Sequence, residues 1–295
     1  MDVIKFSDEI SKIIPDNCAA NKLVSGFIFS EGPVWDMDSE SIIFTDFTPH
    51  KIFKWNKIDG LSIFREQSGR AVGLTMDADG RILCCETQGR RISRIEKNGE
   101  VVSLASHYDG KRLNSPNDVI VKSDGTVYFT DPYSTAMGDT KELTGNGVYK
   151  VAPETGEVTL LGNFNRPNGL AFSPDEKLLY IDDTNLQNVQ VFEVTEAGTL
   201  KNGRLFAQLD TGAGKGAADG MKVDSQGNVY VTGPGGIWIY AANGEKLGLL
   251  KLPEVAANLC WGGQDWRTLF ITATTSVYSV YLNIPGIPTG KLLRK

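Results

Sequence analysis

Long apolar runs are missing from this 295-residue chain, and nowhere do the eighteen or so residues needed to cross a bilayer occur together, so no membrane partner is expected. The opening stretch, MDVIKFSDEISK, mixes acids with bases and lacks the apolar region of a secretory leader, which points to the cytoplasm. Histidine is almost absent: His50 and His107 are the only two, and neither sits at a repeating position. With no HExxH and no GxSxG either, zincin and Ser-His-Asp designs lack their parts. The four cysteines (Cys18, Cys84, Cys85 and Cys260) form no CxxC pair, so they read as reduced, buried small hydrophobes rather than as a disulfide framework or a zinc site. Positive charge is in deficit, 30 Lys and Arg against 36 Asp and Glu for a net charge of −6, and no basic stripe exists, which argues against nucleic acid. Long helical periodicity is missing too, and only the stretch Ile4–Ile14 has a helical pattern.

What is present is a repeat. A polar residue, a small or turn residue, a short run of strand formers, a turn and a second strand recur six times. The copies open at Glu31, Val72, Asn117, Asn168, Asp219 and Asn258, at successive spacings of 41, 45, 51, 51 and 39 residues. That is the spacing of propeller blades, each needing roughly forty residues for four short strands. Asp79-Gly80 and Asp124-Gly125 mark tight hairpin turns inside two copies. The expected fold is therefore all-β: a six-bladed β-propeller over residues 1–295 in a single domain, with 1–21 as an N-terminal extension. The sixth copy runs into Pro285 and Pro288 without a fourth strand, so the segment Lys22–Phe29 is expected to supply it and close the ring.

The residues that open the copies carry the chemistry. In a propeller the innermost strands surround a central channel, so equivalent positions converge on one axis. Five of the six openers are carboxylates or amides: Glu31, Asn117, Asn168, Asp219 and Asn258. Any one of them could be a strand cap. Together they could not be buried without partners, since each unsatisfied group costs about 1–3 kcal/mol and the two acids repel. A hard divalent cation resolves both problems, because these oxygens are what calcium or magnesium prefers. Four protein ligands would leave coordination positions open to water and substrate. Asn258 fits the set least and reads as a supporting or capping residue. A second aligned position, Asp46, Glu86, Asp131 and Asp182, reads as a set of turn-bonding acids at the same end of the channel.

Several stretches in order resemble the senescence-marker protein/gluconolactonase family of six-bladed propellers, a group that includes regucalcin, from about Phe29 to Val280. They are SEGPVW at Ser30–Trp35, GKRLNSPNDVIVKSDGTVYFTDP at Gly110–Pro132, RPNGLAFSPDEKLLYIDDT at Arg166–Thr184 and ADGMKVDSQGNVYV at Ala218–Val231. The resemblance implies a small-molecule lactone as substrate and a calcium ion, with zinc, magnesium or manganese as the other candidates. It further implies that Glu31, Asn168 and Asp219 are ligands, with Asn117 a fourth ligand or a substrate contact. Asp219 would be the general base, and Arg112 and Asn114 would touch the substrate. Val72 stands where many gluconolactonase-like members have Asn, and Thr87-Gln88 where many have His, which implies a less polar mouth. The expected activity is lactone hydrolysis by a monomer or weak homodimer. The rivals are a phosphotriesterase resembling diisopropylfluorophosphatase and a calcium-binding propeller without catalysis. The stretch Tyr133–Asn146 is the candidate lid.

Overall fold

In the computed structural model, residues 2–134 and 141–292 are described. Each copy of the repeat folds as a four-stranded antiparallel sheet whose strands follow sequence order from the axis outward. The first blade runs Ser30–Asp36, Ser41–Asp46, Lys51–Asn56 and Gly60–Arg65, and the second, third and fourth repeat the arrangement. The innermost strands are Ser30–Asp36, Ala71–Met76, Val119–Val121, Pro167–Phe172, Met221–Val223 and Ala256–Gly262. They touch one another in ring order, and the sixth touches the first. The protein is a six-bladed β-propeller.

Both ends of the ring are tied by the N-terminal segment. Asn21–Ser25 forms the outermost strand of the sixth blade, pairing with Ser276–Tyr281. This strand is shorter than the expected Lys22–Phe29, because the backbone turns at Gly26, whose φ of +107° suits glycine. The helix expected over Ile4–Ile14 contracts to Ile10–Ile13. Val3–Lys5 instead adds a fifth strand to the outer edge of the fifth blade. Ile10 and Ile13 are buried against that blade, where Gly248 leaves room: a Cβ there would lie 2.8 Å from Ile10.

Apolar packing lies between the blades rather than at the centre. Alternate residues of each strand face one neighbouring sheet, so each blade interface has its own layer. Trp35 stacks on Phe270 across the first and sixth blades, and Tyr230 meets Trp261 edge to face across the fifth and sixth. This leaves the axis to the polar openers.

Candidate functional site

Three local devices aim the opening residues at the axis. The first is a bulge. Register shifts fall between Glu31 and Val34, Ala71 and Leu74, Pro167 and Leu170, and Ala256 and Asn258, which kinks four of the inner strands at their start. In the third and fifth blades the strand begins only at Val119 and Met221, after the openers Asn117 and Asp219.

The second device is glycine. Gly32, at φ +44°, packs so tightly on the next blade that a Cβ would sit 1.8 Å from the Val72 carbonyl oxygen. A Cβ on Gly220 would fall 2.1 Å from Asn258 Oδ1. The third is a threonine latch between blades. Thr45 donates to the Val72 carbonyl (3.0 Å), Thr130 to that of Asn168 (2.8 Å) and Thr232 to that of Ala257 (2.9 Å).

Glu31, Asn168 and Asn258 are buried, whereas Asn117 and Asp219 keep partial access to solvent. The orientation of two amides follows from their neighbours. Thr184 Oγ1 donates to the Ala218 carbonyl (2.8 Å), so it can only accept from Asn168, whose Nδ2 lies 3.0 Å away. Asn168 Oδ1 is thereby turned away, buried and without a hydrogen-bond partner. Asn258 is oppositely committed: its Oδ1 accepts from the Leu259 N–H (2.8 Å), leaving its amide nitrogen to hydrogen-bond Glu31 and Asp118. Asn168 thus keeps an unpartnered oxygen while its amide also hydrogen-bonds Asp219, and Asn258 gives a donor to Glu31 and Asp118.

The acids at the axis outnumber those read from the repeat. Asp118 and Asp182 join Glu31 and Asp219. Asp118 occupies the place that four other blades give to Gly32, Gly73, Gly169 and Gly220, and a side chain on Gly73 would strike its Oδ1. Asp182 corrects the alignment of turn-bonding acids. Asp46 accepts from the Ile28 and Phe29 N–H groups and Asp131 from that of Asn114. In the fourth blade it is Asp183 that accepts from Asn165 and Arg166. Pro167 pairs with Asp183 as Ser30 does with Asp46, so Asp182 stands one residue earlier, on the opposite face, where four other blades have threonine. Its Oδ1 accepts from Gly169 N (3.1 Å), and its Oδ2 is buried without a partner, as is Oδ2 of Asp118.

Crowding these carboxylates out of water opposes their ionisation. Burial pushes Glu31 up to about 7, against the pull of the Gly32 N–H and with the Asp118 charge adding to the rise. Burial holds Asp219 well above the usual range, with Glu31 and Asp118 adding repulsion. Asp182 is raised well above it too, by burial and then by the charge of Asp219. Burial likewise raises Asp118.

This donor set fits a hard divalent cation. Buried oxygens without hydrogen-bond partners on Asn168, Asp118 and Asp182 join the carboxylates of Glu31 and Asp219, oxygens of the kind calcium or magnesium takes. Among the described residues no three His, Cys, Asp or Glu side chains gather into a metal-holding group. A cation bound here would therefore need amide oxygens beside the carboxylates.

Comparison with known proteins agrees with this architecture. The family profile described as SMP-30/Gluconolactonase/LRE-like region matches residues 29–275. The chain belongs to this family. It is 33% identical to a gluconolactonase of Zymomonas mobilis, over 94% of this chain and 85% of that protein. It is 28% identical to the pentonolactonase XacC of Haloferax volcanii, over 82% of this chain and 80% of that one. A gluconolactonase structure from Xanthomonas campestris superposes with a TM-score of 0.87 at 28% identity, covering 95% of each chain.

Around the mouth of this family member the remaining expected residues fare differently. Arg112 is exposed, and its guanidinium donates to the Gly89 carbonyl (3.0 Å). Asn114 is buried, and both N–H groups of its amide are spent on the Asp131 and Gly145 carbonyls (3.1 and 2.9 Å). It ties the Arg112 loop to the third blade, and its Oδ1 is buried without a hydrogen-bond partner. His50 accepts from Arg70 (2.8 Å), which in turn lies over Phe47. Of the candidate lid Tyr133–Asn146, residues 135–140 lie outside the described residues.

Proposed function

We propose that the chain is a metal-dependent lactonase that opens a sugar or related small-molecule lactone to its hydroxy acid. The observation that supports the metal is Asn168 Oδ1, buried and without a hydrogen-bond partner while Thr184 takes up its amide nitrogen. The lactone comes from the family, whose gluconolactonase and pentonolactonase members match along most of this chain.

Glu31, Asn117, Asn168 and Asp219 would hold the ion, calcium by the chemistry of the oxygens. When bound, it supplies a Lewis acid for the lactone carbonyl and makes ionisation of the surrounding acids favourable. Asp219 keeps partial solvent access, so a water can reach it, and it takes the proton from that water as the carbonyl carbon is attacked. Collapse of the tetrahedral species expels the ring oxygen, and Asp219 returns the proton to it. The acyl C–O bond breaks, a new C–O bond forms, and one water is consumed. Asn117 and Arg112 would meet the hydroxyl groups of the lactone.

A pH-indicator assay on a panel of sugar and aliphatic lactones tests this reading. Chelated protein is compared with calcium-, magnesium-, manganese- and zinc-loaded protein, beside Asp219→Asn. The expected result is metal-dependent turnover that the substitution abolishes. Turnover that survives complete chelation, or survives in Asp219→Asn, would overturn the mechanism.

A further inference from the structure

The hairpin that carries Arg112 is too small to hold itself. His107–Tyr108 and Lys111–Arg112 pair as a separate two-stranded sheet, closed by Asp109 and Gly110 at φ +51° and +72°, the mark of a tight two-residue turn. A ribbon this short is not stable in water unless it is docked. Apolar contacts supply part of the dock: Leu113 is buried in the layer that also holds Leu143, and the Tyr108 ring lies 5.2 Å from that of Tyr149. The polar part centres on Arg90, a buried guanidinium from the second blade. Its Nε donates to the Leu113 carbonyl (2.6 Å) and its Nη2 to that of Arg112 (3.4 Å), while Nη1 lies 3.4 Å from Glu142 Oε1. The other Glu142 oxygen accepts from the Arg112 N–H (2.9 Å), and the Arg112 guanidinium donates back to the Gly89 carbonyl (3.0 Å). Both backbone groups of Arg112 are thus bound to Arg90, one directly and one through Glu142.

Arg90 occupies a position that three blades use alike. His50, Arg90 and Gln187 are each the fourth residue past Asp46, Glu86 and Asp183, with left-handed φ of +57°, +53° and +53°. Each reaches the segment that leads into the next blade: His50 accepts from Arg70, Gln187 from the Ala218 N–H (3.2 Å), and Arg90 donates to Leu113. Arg90 differs in what it holds, since Leu113 directly follows the hairpin. We propose that Arg90 is a positioning residue of the lactone site, the clasp that docks the Arg112 hairpin and so fixes the guanidinium that meets the substrate's hydroxyl groups. This inference rests on the lactonase reading and on the Arg112 contact within it. Arg112 is exposed, and among the described residues its guanidinium makes one hydrogen bond, so its place is set by what its backbone is tied to. A planar fork can address two successive carbonyls and a carboxylate at once, which an ammonium group on a flexible stem does less well. Lifting the hairpin would strip a buried guanidinium of its carbonyl partners, so the clasp resists opening.

The test compares glucono-δ-lactone, which bears hydroxyl groups, with δ-valerolactone, which has none. Arg90→Met should lower kcat/KM on the first about tenfold, the scale of one hydrogen bond from a charged donor, and leave turnover of the second nearly unchanged. In an Arg112→Met background the same change should cost nothing further on glucono-δ-lactone. A merely structural defect would lower both lactones equally and would add to Arg112→Met, so either result overturns the proposal. The clasp is also read without substrate, by amide hydrogen exchange: protection of the Arg112 N–H should fall about tenfold in Arg90→Met. Wild-type protein that opens no lactone would sink the lactonase reading and leave exchange to judge the clasp. Unchanged protection in Arg90→Met would overturn the clasp whatever the kinetics. Should Arg90→Met fail to fold, Glu142→Ala takes its place, since that side chain is well exposed. The same selective loss on glucono-δ-lactone would then support the proposal, and wild-type kinetics on both lactones would overturn it.

Discussion

Removing metal should make this protein lose stability as the solution becomes more alkaline, between pH 5 and 8, and Glu31 supplies the magnitude. In the folded chain its carboxyl is pushed from the ordinary 4.5 up to about 7, chiefly by burial. An acid raised in this way is neutral in both states below pH 4.5 and costs nothing there. As pH rises from 4.5 through 7 the unfolded chain releases its proton and the folded one resists, so stability falls. The full cost is about 2.5 units at 1.36 kcal/mol each, or about 3 kcal/mol. For a chain of this size that is a drop in melting temperature of about 6 °C. Asp219 and Asp182, raised by burial and by mutual repulsion, push in the same direction. His50 opposes them, because burial lowers its pKa and stability from that source rises with pH. Calcium should abolish the decline, since it favours the ionised acids and binds better as protons leave. The assay is a set of melting curves at pH 5, 6, 7 and 8, with chelator and with excess calcium, for wild type and Glu31→Gln. Taking the difference between the two proteins cancels His50. Parallel curves for wild type and Glu31→Gln in chelator would refute the reasoning, as would a calcium effect of equal size at pH 5 and pH 8.

Two other groups are open to the same kind of test. Burial alone would raise Glu254, but the hydroxyls of Ser276, Thr275 and Tyr278 bring it down to about 2, with Lys22 of the closing strand 3.2 Å away. That depression contributes stability above pH 4.5 that is lost as pH falls through 2, about 1.5 kcal/mol once halved for solvent screening. Glu254→Gln should therefore melt about 3 °C lower at pH 7, with the gap narrowing as pH falls from 4 to 2; a gap undiminished at pH 2.5 would show that shape rather than charge matters there. Thr184→Val removes the acceptor that orients Asn168, so calcium affinity should fall at least tenfold while the melting temperature of metal-free protein shifts little. Calorimetry showing wild-type affinity would mean that Asn168 needs no such support.

The blades were legible in the sequence because hairpin turns and alternating strands leave local marks, and a repeat multiplies them. The openers were legible for the same reason: Glu31, Asn117, Asn168 and Asp219 are polar at a position whose register the repeat defines. Asp182 was not, and the failure is instructive. The dipeptide Asp182-Asp183 offers two acids one residue apart, and a one-residue slip in a strand exchanges the two faces. Aligned by sequence, Asp182 looked equivalent to Asp46 and Asp131; the pairing of Pro167 with Asp183 shows that the turn-bonding acid is the second of the two. Asp118 hid behind Asn117 in the same way, yet it breaks the glycine that follows the opener in four other blades. Lys222 left the faintest mark, since a lone lysine in a strand ordinarily reads as a solvated side chain. Only closing the ring reveals that Lys222, on the innermost strand Met221–Val223, stands level with Val34, Thr75, Ile120, Ala171 and Cys260, and that it is the single charge among them. Residues that work in register with their equivalents can be found from a repeat, whereas those that work by departing from it become visible when the blades are brought side by side.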